Sequence, residues 1–519
     1  MSGQIAFVSI CLLIVATGAS AQSFRFATVF GDHMVLQQSP YKAGVWGYSP
    51  SCENVTVMFD GAKMDATIVN SRGDVSMCKW KVTLPATTGG AKAFTISAVN
   101  QNQTMIELKD VLFGDVWLCS GQSNMQFAMP QVYNASAEIA AAANYPMVRL
   151  FTAALQSSNT PVDELLSIEQ NWTVASPASV GGKAWGYFSA TCWFFGRDLF
   201  DSLKYPIGLV DTDWGGTPVE AWSSPDALAK CKKDKTDTTQ KWRKQKPTSL
   251  TGPGSPSVLW NAMIVPFLNM TIKGAIWYQG EANAGAPQSY HCTFPAMIDD
   301  WREKWHSSTD GATDNNMGFG FVQLAANGNN NVSDTGFPDI RWAQTADVGY
   351  VPNDRLQNVF MAVAMDLGDP TSPFGSVHPR DKQDVGDRLS RAAMAVVYGD
   401  KTVDYLGPIA SSAAIVSTAV DGLIKVAVTY TSENPLELKY PYGFEVGCVD
   451  ASNNKSMWIG GTAKSVKGSQ TAFVEFPACP VQYTAKMIRY CWRTDPCTFK
   501  MCPVYAKDLP SPPFILKLP

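Results

Sequence analysis

Ser123 and His378 are the side chains of this sequence best placed for nucleophilic chemistry. Ser123 follows the apolar run Asp115–Cys119, at the point where a strand would give way to a helix. A serine hydroxyl is a weak nucleophile until a neighbouring base takes its proton. Backbone N–H groups at the start of the following helix could bind a developing oxyanion. A plain helix-capping serine would occupy the same position, so the interpretation depends on finding a base.

Four histidines are available as that base: His33, His291, His306 and His378. His33 lies in a β-rich N-terminal region, and His306 lies near a predicted helix end, where a cation offsets the helix dipole. His291 stands in a segment whose structure the sequence does not indicate. His378 follows an apolar strand and a Pro/Gly loop and precedes the last predicted helix, which suits a base that reaches across to a nucleophile. A solvated loop histidine is the competing interpretation.

The segments around these residues alternate between apolar strands and helices. Strands are predicted at Ile207–Val210, Gly274–Tyr278, Gly318–Leu324 and Val359–Met365, and helices at Ala135–Ala143, Thr191–Ser202, Phe294–Trp305 and Arg380–Tyr398. This alternation predicts an α/β domain whose parallel sheet is covered by helices on both faces. Functional sites in such domains lie at the carboxyl ends of the strands.

Strand-rich regions flank the α/β region. A chain of 519 residues exceeds what one hydrophobic core usually organises, so more than one domain is expected. Short strands separated by turn signals predict an N-terminal β sandwich over residues 22–108, in which Cys52 and Cys78 could form a disulfide. The α/β domain then covers residues 109–402, and a β domain covers residues 403–519.

The chain has features of an exported protein. Residues 1–21 contain no charged side chain and have the form of a signal peptide, with an apolar stretch and a small-x-small cleavage pattern at Ala19–Ala21. Five cysteines within the last 72 residues predict a disulfide-stapled C-terminal domain. Outside the leader the cysteines are odd in number, and Cys119, in an apolar strand, is the expected free thiol. Seven Asn-x-Ser/Thr sequons predict N-glycosylation at Asn54, Asn102, Asn134, Asn171, Asn269, Asn331 and Asn454. We therefore expect a secretory-pathway protein, lysosomal or secreted.

Several partner classes are disfavoured by composition. The formal net charge is -4, and no long basic run is present, which argues against nucleic acid. The Gly-rich phosphate loops of nucleotide enzymes are missing from the sequence. After the leader, no apolar stretch is long enough for a membrane span, so a soluble mature protein is expected.

Four segments, in this order, resemble the sialate O-acetylesterase family of the SGNH hydrolases: Gly121–Met125, Asp213–Thr217, Trp277–Glu281 and His378–Lys382. Phe30–Gln37 is similar to the N-terminal β domain of that family. The resemblance implies a flavodoxin-like, three-layer α/β domain between two β domains. It also implies a serine esterase that hydrolyses O-acetyl esters of sialic acids, such as 9-O-acetylated sialate. The implied route passes through an acetyl-serine and needs no metal or organic cofactor.

The resemblance assigns roles to individual residues. Ser123 would attack the acetyl carbonyl, and His378 would take its proton and later activate water. The oxyanion donors would be the backbone N–H of Ser123, a backbone N–H of Gly215 or Gly216, and the side chain of Gln279, with Asn283 as its competitor.

The group that orients His378 is left open by the sequence. SGNH enzymes usually place an aspartate three residues before the histidine, but this chain has Gly375 there. Glu281 is the first candidate, because it follows a strand at the same sheet edge and esterases with this block use it to orient the histidine. Asp366 and Asp369 are the alternatives, and a Ser–His dyad is the remaining one.

Substrate contacts are expected from Asn124, Trp214 and Arg341. Aromatic faces pack against sugar rings, and arginine can bind a sialate carboxylate with two parallel hydrogen bonds. Two other functions stay open at this point. One is an esterase for other acetylated glycans such as xylan, and the other is a carbohydrate-binding protein without catalysis.

Overall fold

The computed structural model describes residues 23–70, 77–231, 253–328, 332–418, 422–450, 452, 455–465 and 470–519. The expected signal peptide and the sequons at Asn331 and Asn454 lie outside these residues. The strands are β1 Arg25–Phe26, β2 Val35–Gln37, β3 Gly44–Ser49, β4 Val55–Phe59, β5 Ala62–Asp65, β6 Thr67–Asn70, β7 Cys78–Thr83, β8 Gly90–Asn100, β9 Met105–Gly121, β10 Val148–Ala153, β11 Ile168–Val174, β12 Ile207–Asp213, β13 Gly274–Tyr278, β14 Gly318–Gln323, β15 Val359–Val363, β16 Ile409–Thr418, β17 Leu423–Thr431, β18 Glu437–Leu438, β19 Phe444–Asp450, β20 Ser456–Gly460, β21 Thr462–Ser465, β22 Thr471–Pro477, β23 Tyr483–Tyr490, β24 Val504–Ala506, β25 Leu509–Pro510 and β26 Phe514–Lys517. The α-helices are α1 Ser123–Gln126, α2 Ala135–Ala141, α3 Pro177–Gly181, α4 Ala190–Leu203, α5 Pro225–Cys231, α6 Pro287–Ser308, α7 Phe337–Ala343 and α8 Lys382–Val396.

The central sheet has the strand order β11-β10-β12-β9-β13-β14-β15. Every neighbouring pair in this order is parallel except β10 and β11. Strands β12, β13, β14 and β15 are buried along their whole length. Burial on both faces explains their continuous apolar sequences, since no side of the strand meets water.

Helices cover both faces of this sheet. On one face α4 packs against α8, and the Phe195 ring of α4 meets Trp117 of β9 edge to face. On the other face Phe294 and Trp301 of α6 pack against Trp277 of β13. Because successive strand residues point to opposite faces, Trp117 and Trp277 can serve opposite layers. The expected three-layer α/β class is confirmed.

Strand β9 joins the N-terminal region to the α/β region. Its first half pairs with β8 and β2, and residues 115–121 pair with β12 and β13. The predicted domain boundary between residues 108 and 109 therefore falls inside one continuous strand, and the division into domains stays a prediction. A second N-terminal sheet has the order β1-β3-β7-β6, with Trp46 and Trp80 fully buried. The C-terminal region forms three further sheets, β16-β17-β22-β21, β18-β24-β25 and β20-β19-β23-β26.

Five disulfides are formed among the described cysteines: Cys52–Cys78, Cys119–Cys192, Cys231–Cys292, Cys448–Cys479 and Cys497–Cys502. The expected Cys52–Cys78 pair is confirmed. The expectation that Cys119 is free is wrong, because β9 lies directly under α4 and brings Cys119 to Cys192. Within the described ranges the unpaired cysteine is Cys491, which is buried. Disulfides of this number are consistent with an oxidising compartment.

Candidate active site

Three adjacent strands end side by side and place the candidate residues together. The last residue of β9, Gly121, is in register with Asp213 of β12 and with Tyr278 of β13. Gly121 has φ +147°, and a Cβ there would lie 2.2 Å from the Tyr278 carbonyl oxygen. Only glycine allows this approach. Consequently the N-terminus of α1, at Ser123, lies between the loops that follow β12 and β13.

The structure brings Ser123 and His378 into direct contact. His378 Nε2 lies 2.8 Å from Ser123 Oγ. His378 Nδ1 lies 2.7 Å from the carbonyl oxygen of Phe374. A carbonyl oxygen can only accept, so Nδ1 carries the proton and Nε2 presents its lone pair to the serine hydroxyl. This arrangement allows His378 to act as a general base toward Ser123.

Neither Glu281 nor the two alternative aspartates contact the His378 ring. The Glu281 carboxylate accepts from Asn124 at 2.6 Å instead. Asp366 is bound by Arg388, and Asp369 is bound by Arg380. The expectation that a carboxylate orients the imidazole directly is therefore contradicted. The loop before His378 turns back on itself and offers the Phe374 carbonyl in that place.

Two aromatic rings, those of Phe127 and Trp185, contact the half-buried His378 imidazole. The Trp185 ring meets the imidazole edge to face at 4.9 Å between centroids, and Phe127 stacks on it at 6.5 Å. Phe374 lies against both Phe127 and Trp185. Burial among these rings lowers the pKa of His378 below 6.5, and the positive charge of Lys382 lowers it further. The lowered pKa favours the neutral imidazole that a general base requires, and the hydrogen bond to the Phe374 carbonyl acts in the opposite direction.

The loop after β12 lies against the nucleophile. A Cβ at Gly215 would come 3.2 Å from Ser123 Cβ, so a side chain there would push on the serine. The Gly215 N–H donates to Gln126 Oε1 at 2.9 Å and is not available as an oxyanion donor. Among the described residues, no acceptor takes the N–H of Ser123 or of Gly216. These two backbone groups are the donors that the site leaves open.

The amide side chains expected in the oxyanion hole are engaged elsewhere. Gln279 Nε2 donates to the Thr217 carbonyl at 3.1 Å and to Asn283 Oδ1 at 2.7 Å. Asn283 Nδ2 donates to Glu220 at 2.9 Å. The expectation that Gln279 or Asn283 donates to the oxyanion is therefore contradicted by these hydrogen bonds. Both amides instead brace the loops that follow β12 and β13.

The Asn124 side chain is buried behind Ser123 and His378 and does not face a substrate. It is 1% exposed, and its Nδ2 donates to Glu281 at 2.6 Å and to the Val377 carbonyl at 2.8 Å. Its Oδ1 accepts from Lys382 Nζ at 2.7 Å. We call these four groups the Asn124 cluster: Asn124, Glu281, Lys382 and the Val377 carbonyl. The expected substrate contact of Asn124 is wrong, because its amide is fully engaged inside the protein.

Burial perturbs both ionisable members of the Asn124 cluster. It raises the pKa of Glu281 above its usual range, and it lowers the pKa of Lys382 to about 7. Within the described part of the chain, Glu281 Oε2 has no hydrogen-bond partner. Perturbed ionisable groups of this kind concentrate at functional sites.

Comparison with known proteins identifies the family of this chain. A sequence profile described as "Carbohydrate esterase, sialic acid-specific acetylesterase" matches residues 113–371, and one described as "Sialate O-acetylesterase C-terminal domain" matches residues 417–518. The sialate O-acetylesterases of Pongo abelii and Homo sapiens are each 40% identical over 513 residues, which is 97% of this chain and 94% of theirs. The chain belongs to the sialate O-acetylesterase family. Its membership confirms the expected family and the expectation of a carboxylic ester hydrolase.

This family member has the fold of a carbohydrate acetylesterase of known structure. A carbohydrate acetylesterase from Xanthomonas citri superposes with a TM-score of 0.74 at 28% identity, over 95% of this chain and 99% of that chain. The superposition therefore extends over the β regions at both ends as well as the central sheet.

Arg341 of this sialate O-acetylesterase family member is a structural residue. It is 0% exposed, and its guanidinium donates to four carbonyl oxygens, those of Leu324, Ala325, Arg493 and Thr494. Burial lowers its pKa to about 10. The expectation that Arg341 binds a sialate carboxylate is contradicted, since no donor faces a substrate. The side chain instead joins the α/β region to the C-terminal β region.

The remaining expected positions divide by their surroundings. Trp214 is half-buried beside Gly215, and its role toward substrate stays a prediction. His33, His291 and His306 bind Asp110, Asp347 and the Thr313 carbonyl, respectively, and none contacts Ser123. The described sequons Asn54, Asn102, Asn134 and Asn171 are exposed, whereas Asn269 is half-buried.

Three contributors to the site escaped the sequence analysis: the Phe374 carbonyl, Trp185 and Lys382. Every residue type has a backbone carbonyl, so no sequence pattern predicts which carbonyl will contact His378. Trp185 lies far from either motif and reaches His378 through a loop in which Trp185 and Tyr187 both have positive φ. Lys382 ends the segment His378–Lys382, and its presence in a functional motif was the available signal.

Proposed function

We propose that this protein hydrolyses O-acetyl esters of sialic acids, 9-O-acetylated sialate among them, with Ser123 as nucleophile and His378 as base. The observation that supports it is the 2.8 Å contact between His378 Nε2 and Ser123 Oγ at the carboxyl ends of the central strands. The names of the relatives supply the sialate substrate. A carbohydrate-binding protein without catalysis would have no use for a neutral, oriented imidazole on a serine hydroxyl.

In the first half of the reaction, Ser123 Oγ attacks the acetyl carbonyl while His378 Nε2 takes its proton. The carbonyl electron pair moves onto oxygen, forming a tetrahedral oxyanion. As this intermediate collapses, the bond to the sugar oxygen breaks, and His378 returns the proton to that oxygen. The sugar leaves with a free hydroxyl, and Ser123 is acetylated.

The backbone N–H groups of Ser123 and Gly216 would stabilise the oxyanion. Loss of one such donor costs about 3 kcal/mol of transition-state stabilisation. Gly216 has φ +74° and open space where a Cβ would stand, so its backbone can approach a bound ester closely. The donor set proposed from the resemblance is thus reduced to two backbone groups.

In the second half, His378 removes a proton from water, which attacks the acetyl-serine. Acetic acid then leaves as Ser123 Oγ regains its proton from the imidazolium, and it ionises to acetate in solution. The Phe374 carbonyl accepts from Nδ1 throughout, and it stabilises the positive charge that appears on the ring. Hydrolysis proposed in this way uses no metal or organic cofactor.

The sugar would bind over the mouth of the site, against aromatic side chains. Trp185 and Trp214 are half-buried, and Tyr187 is exposed at the same rim. Ring faces of this kind pack against the apolar faces of sugars. The shape of the loops that carry these rings decides which sugar fits.

A panel of substrates tests the proposal. The purified protein would be assayed with 9-O-acetylated sialic acid, acetylated xylan and an aryl acetate, at acidic and neutral pH. We expect the highest kcat/KM on the sialate, and greater activity on xylan would overturn the substrate assignment. Labelling by a fluorophosphonate should be lost in Ser123→Ala, and wild-type turnover by that variant would end the proposal.

We also propose that the protein enters the secretory pathway and becomes a glycoprotein, lysosomal or secreted. The disulfides and the exposed sequons Asn54, Asn102, Asn134 and Asn171 support this. Within the described ranges, no helix combines the length and apolarity needed to cross a membrane. Expression in a eukaryotic cell, followed by N-terminal sequencing and glycosidase treatment, would test it. An intact leader and no mobility shift would contradict it.

A further inference from the structure

Lys382 is a buried lysine for which the mechanism above gives no role. It is 0% exposed, and its ammonium lies 4.8 Å over the Phe127 ring and 5.1 Å over the Tyr278 ring. Its one oxygen acceptor among the described residues is Asn124 Oδ1, at 2.7 Å. Burying an ammonium is costly unless it is paired and hydrogen-bonded, so this position needs a specific reason.

Helix stability does not supply that reason. Lys382 is the first residue of α8, a helix of 15 residues. Backbone dipoles place a partial positive charge at this end, where a lysine is disfavoured. Asp381 already caps the helix by accepting from the Asp384 N–H at 3.1 Å. A neutral residue in place of Lys382 would suit the helix better.

The contacts of Lys382 instead determine the orientation of the Asn124 amide. Lys382 stands at the amide oxygen, and the Glu281 carboxylate stands at the amide nitrogen. A rotation of the amide by half a turn would put NH₂ against a cation and oxygen against a carboxylate. Both ends therefore oppose the flip, and Nδ2 is held toward the carbonyl of Val377.

The orientation of the Asn124 amide matters because Asn124 and Val377 are the chain neighbours of the nucleophile and the base. Asn124 follows Ser123, and Val377 precedes His378. The hydrogen bond between Asn124 and Val377 therefore connects the two backbones that carry nucleophile and base. Displacements of reacting groups by about 1 Å can cost about 100-fold in rate.

We propose that Lys382 is a positioning residue that, together with Glu281, orients the Asn124 amide and so maintains the alignment of Ser123 with His378. The inference rests on the proposed function, since it concerns the same serine and histidine. It assigns to Lys382 an effect on kcat and not on substrate binding, because Lys382 reaches no surface that a sugar could touch.

Lys382→Met, which keeps length and apolar volume, is the central variant. We expect its kcat to fall about 10- to 100-fold, with KM within about twofold of wild type. Glu281→Gln and the double variant complete a cycle. Lys382→Met leaves the Glu281 carboxylate without the nearby positive charge of Lys382, and the double variant removes that carboxylate while an oxygen still accepts from Asn124 Nδ2. The double variant should therefore be more active than Lys382→Met.

A pH–rate profile distinguishes the charge of Lys382 from its packing, because loss of packing alone would not shift the acidic limb of the profile. The charged or titratable groups acting on Lys382 are Glu281, Asp381 and Asp369, and those near it also include His378 and Tyr278. Lys382 lowers the pKa of His378, so Lys382→Met should move the acidic limb of kcat/KM to higher pH. An unmoved limb would contradict this part of the proposal.

Lys500→Met is the matched control, since Lys500 pairs with Asp381 and Asp384 at the start of the same helix and lies outside the Asn124 cluster. Its kcat should stay within about twofold of wild type. Thermal unfolding would separate misfolding from misalignment. Wild-type kcat in folded Lys382→Met, or strictly additive losses in the cycle, would overturn the inference. If wild-type protein neither hydrolyses acetyl esters nor reacts with a fluorophosphonate, the proposed function itself fails.

Discussion

Asn124 Nδ2 donates to the carbonyl oxygen of Val377 across 2.8 Å. The residue after the candidate nucleophile is thereby bonded to the residue before the candidate base. These positions are about 250 residues apart in the chain. The hydrogen bond holds them together next to Ser123 Oγ and His378 Nε2, whose alignment determines the rate.

Asn124→Leu removes this bond while keeping the side chain's approximate volume. Without it Glu281 and Lys382 also lose their shared partner, so misalignment of Ser123 and His378 should lower kcat about 10- to 100-fold. Steady-state kinetics on an aryl acetate would measure it, because that substrate needs no sugar contacts. A raised KM for an acetylated sialate, with unchanged kinetics on the aryl acetate, would instead support the substrate contact that the sequence suggested.

The pH dependence of kcat/KM should report the base. His378 must be neutral to accept a proton, and burial lowers its pKa below 6.5. The rate should therefore rise with pH through a midpoint below 6.5 and stay high at neutral pH. Measurement over about pH 4 to 8 on an uncharged ester excludes titration of the substrate. A midpoint above 6.5 would show that the neighbouring rings do not desolvate the imidazole.

Gly215→Ala tests how closely the loop after β12 approaches the nucleophile. The added Cβ would come 3.2 Å from Ser123 Cβ and 3.0 Å from Gln126 Oε1, so the serine must shift. We expect kcat to fall about 10-fold or more, with a small change in stability. Gly285→Ala is the control, because nothing lies within 4 Å of a Cβ there. Equal activity of both variants would contradict this account of the loop.

Arg341→Met should destabilise the protein without changing its choice of ester. Four carbonyl oxygens lose the guanidinium as a donor, although that of Thr494 keeps the Asn327 N–H. Leaving buried acceptors unsatisfied should cost about 3 kcal/mol or more of unfolding free energy. Urea unfolding would measure the loss. The ratio of KM for a sialate ester to KM for its methyl ester should match wild type. A selective rise for the charged substrate would restore Arg341 as a carboxylate partner.

The Cys119–Cys192 disulfide should stabilise the sheet beneath the site. It joins β9 to α4 across 73 residues, and removing such a crosslink costs about 2–5 kcal/mol. The double variant Cys119→Ala, Cys192→Ala should unfold at lower denaturant concentration than wild type. Identical midpoints for oxidised wild type and the variant would show that the crosslink contributes little.

Much of the architecture was predictable because burial of a strand or helix requires a recognisable pattern of apolar residues in its own sequence. Strand β13 matches its predicted span, Gly274–Tyr278, and β14, β15 and α8 differ from prediction by a few residues. A strand buried on both faces must be apolar throughout, and this requirement is visible in any window of sequence. Strand β9 extends further than predicted because its first half pairs with the N-terminal strands, and pairing partners are distant in sequence.

Residue types and their order along the chain were sufficient to predict the kind of chemistry: a serine after the central strand, a histidine before the last helix, and a scaffold that places both at one sheet edge. Tertiary structure alone decided the partners of each group. It gave His378 a backbone carbonyl, committed Gln279 and Arg341 to internal carbonyls, and paired Cys119. The physical reason is that residue type limits what a side chain can donate or accept, whereas distance and burial decide which partner it meets.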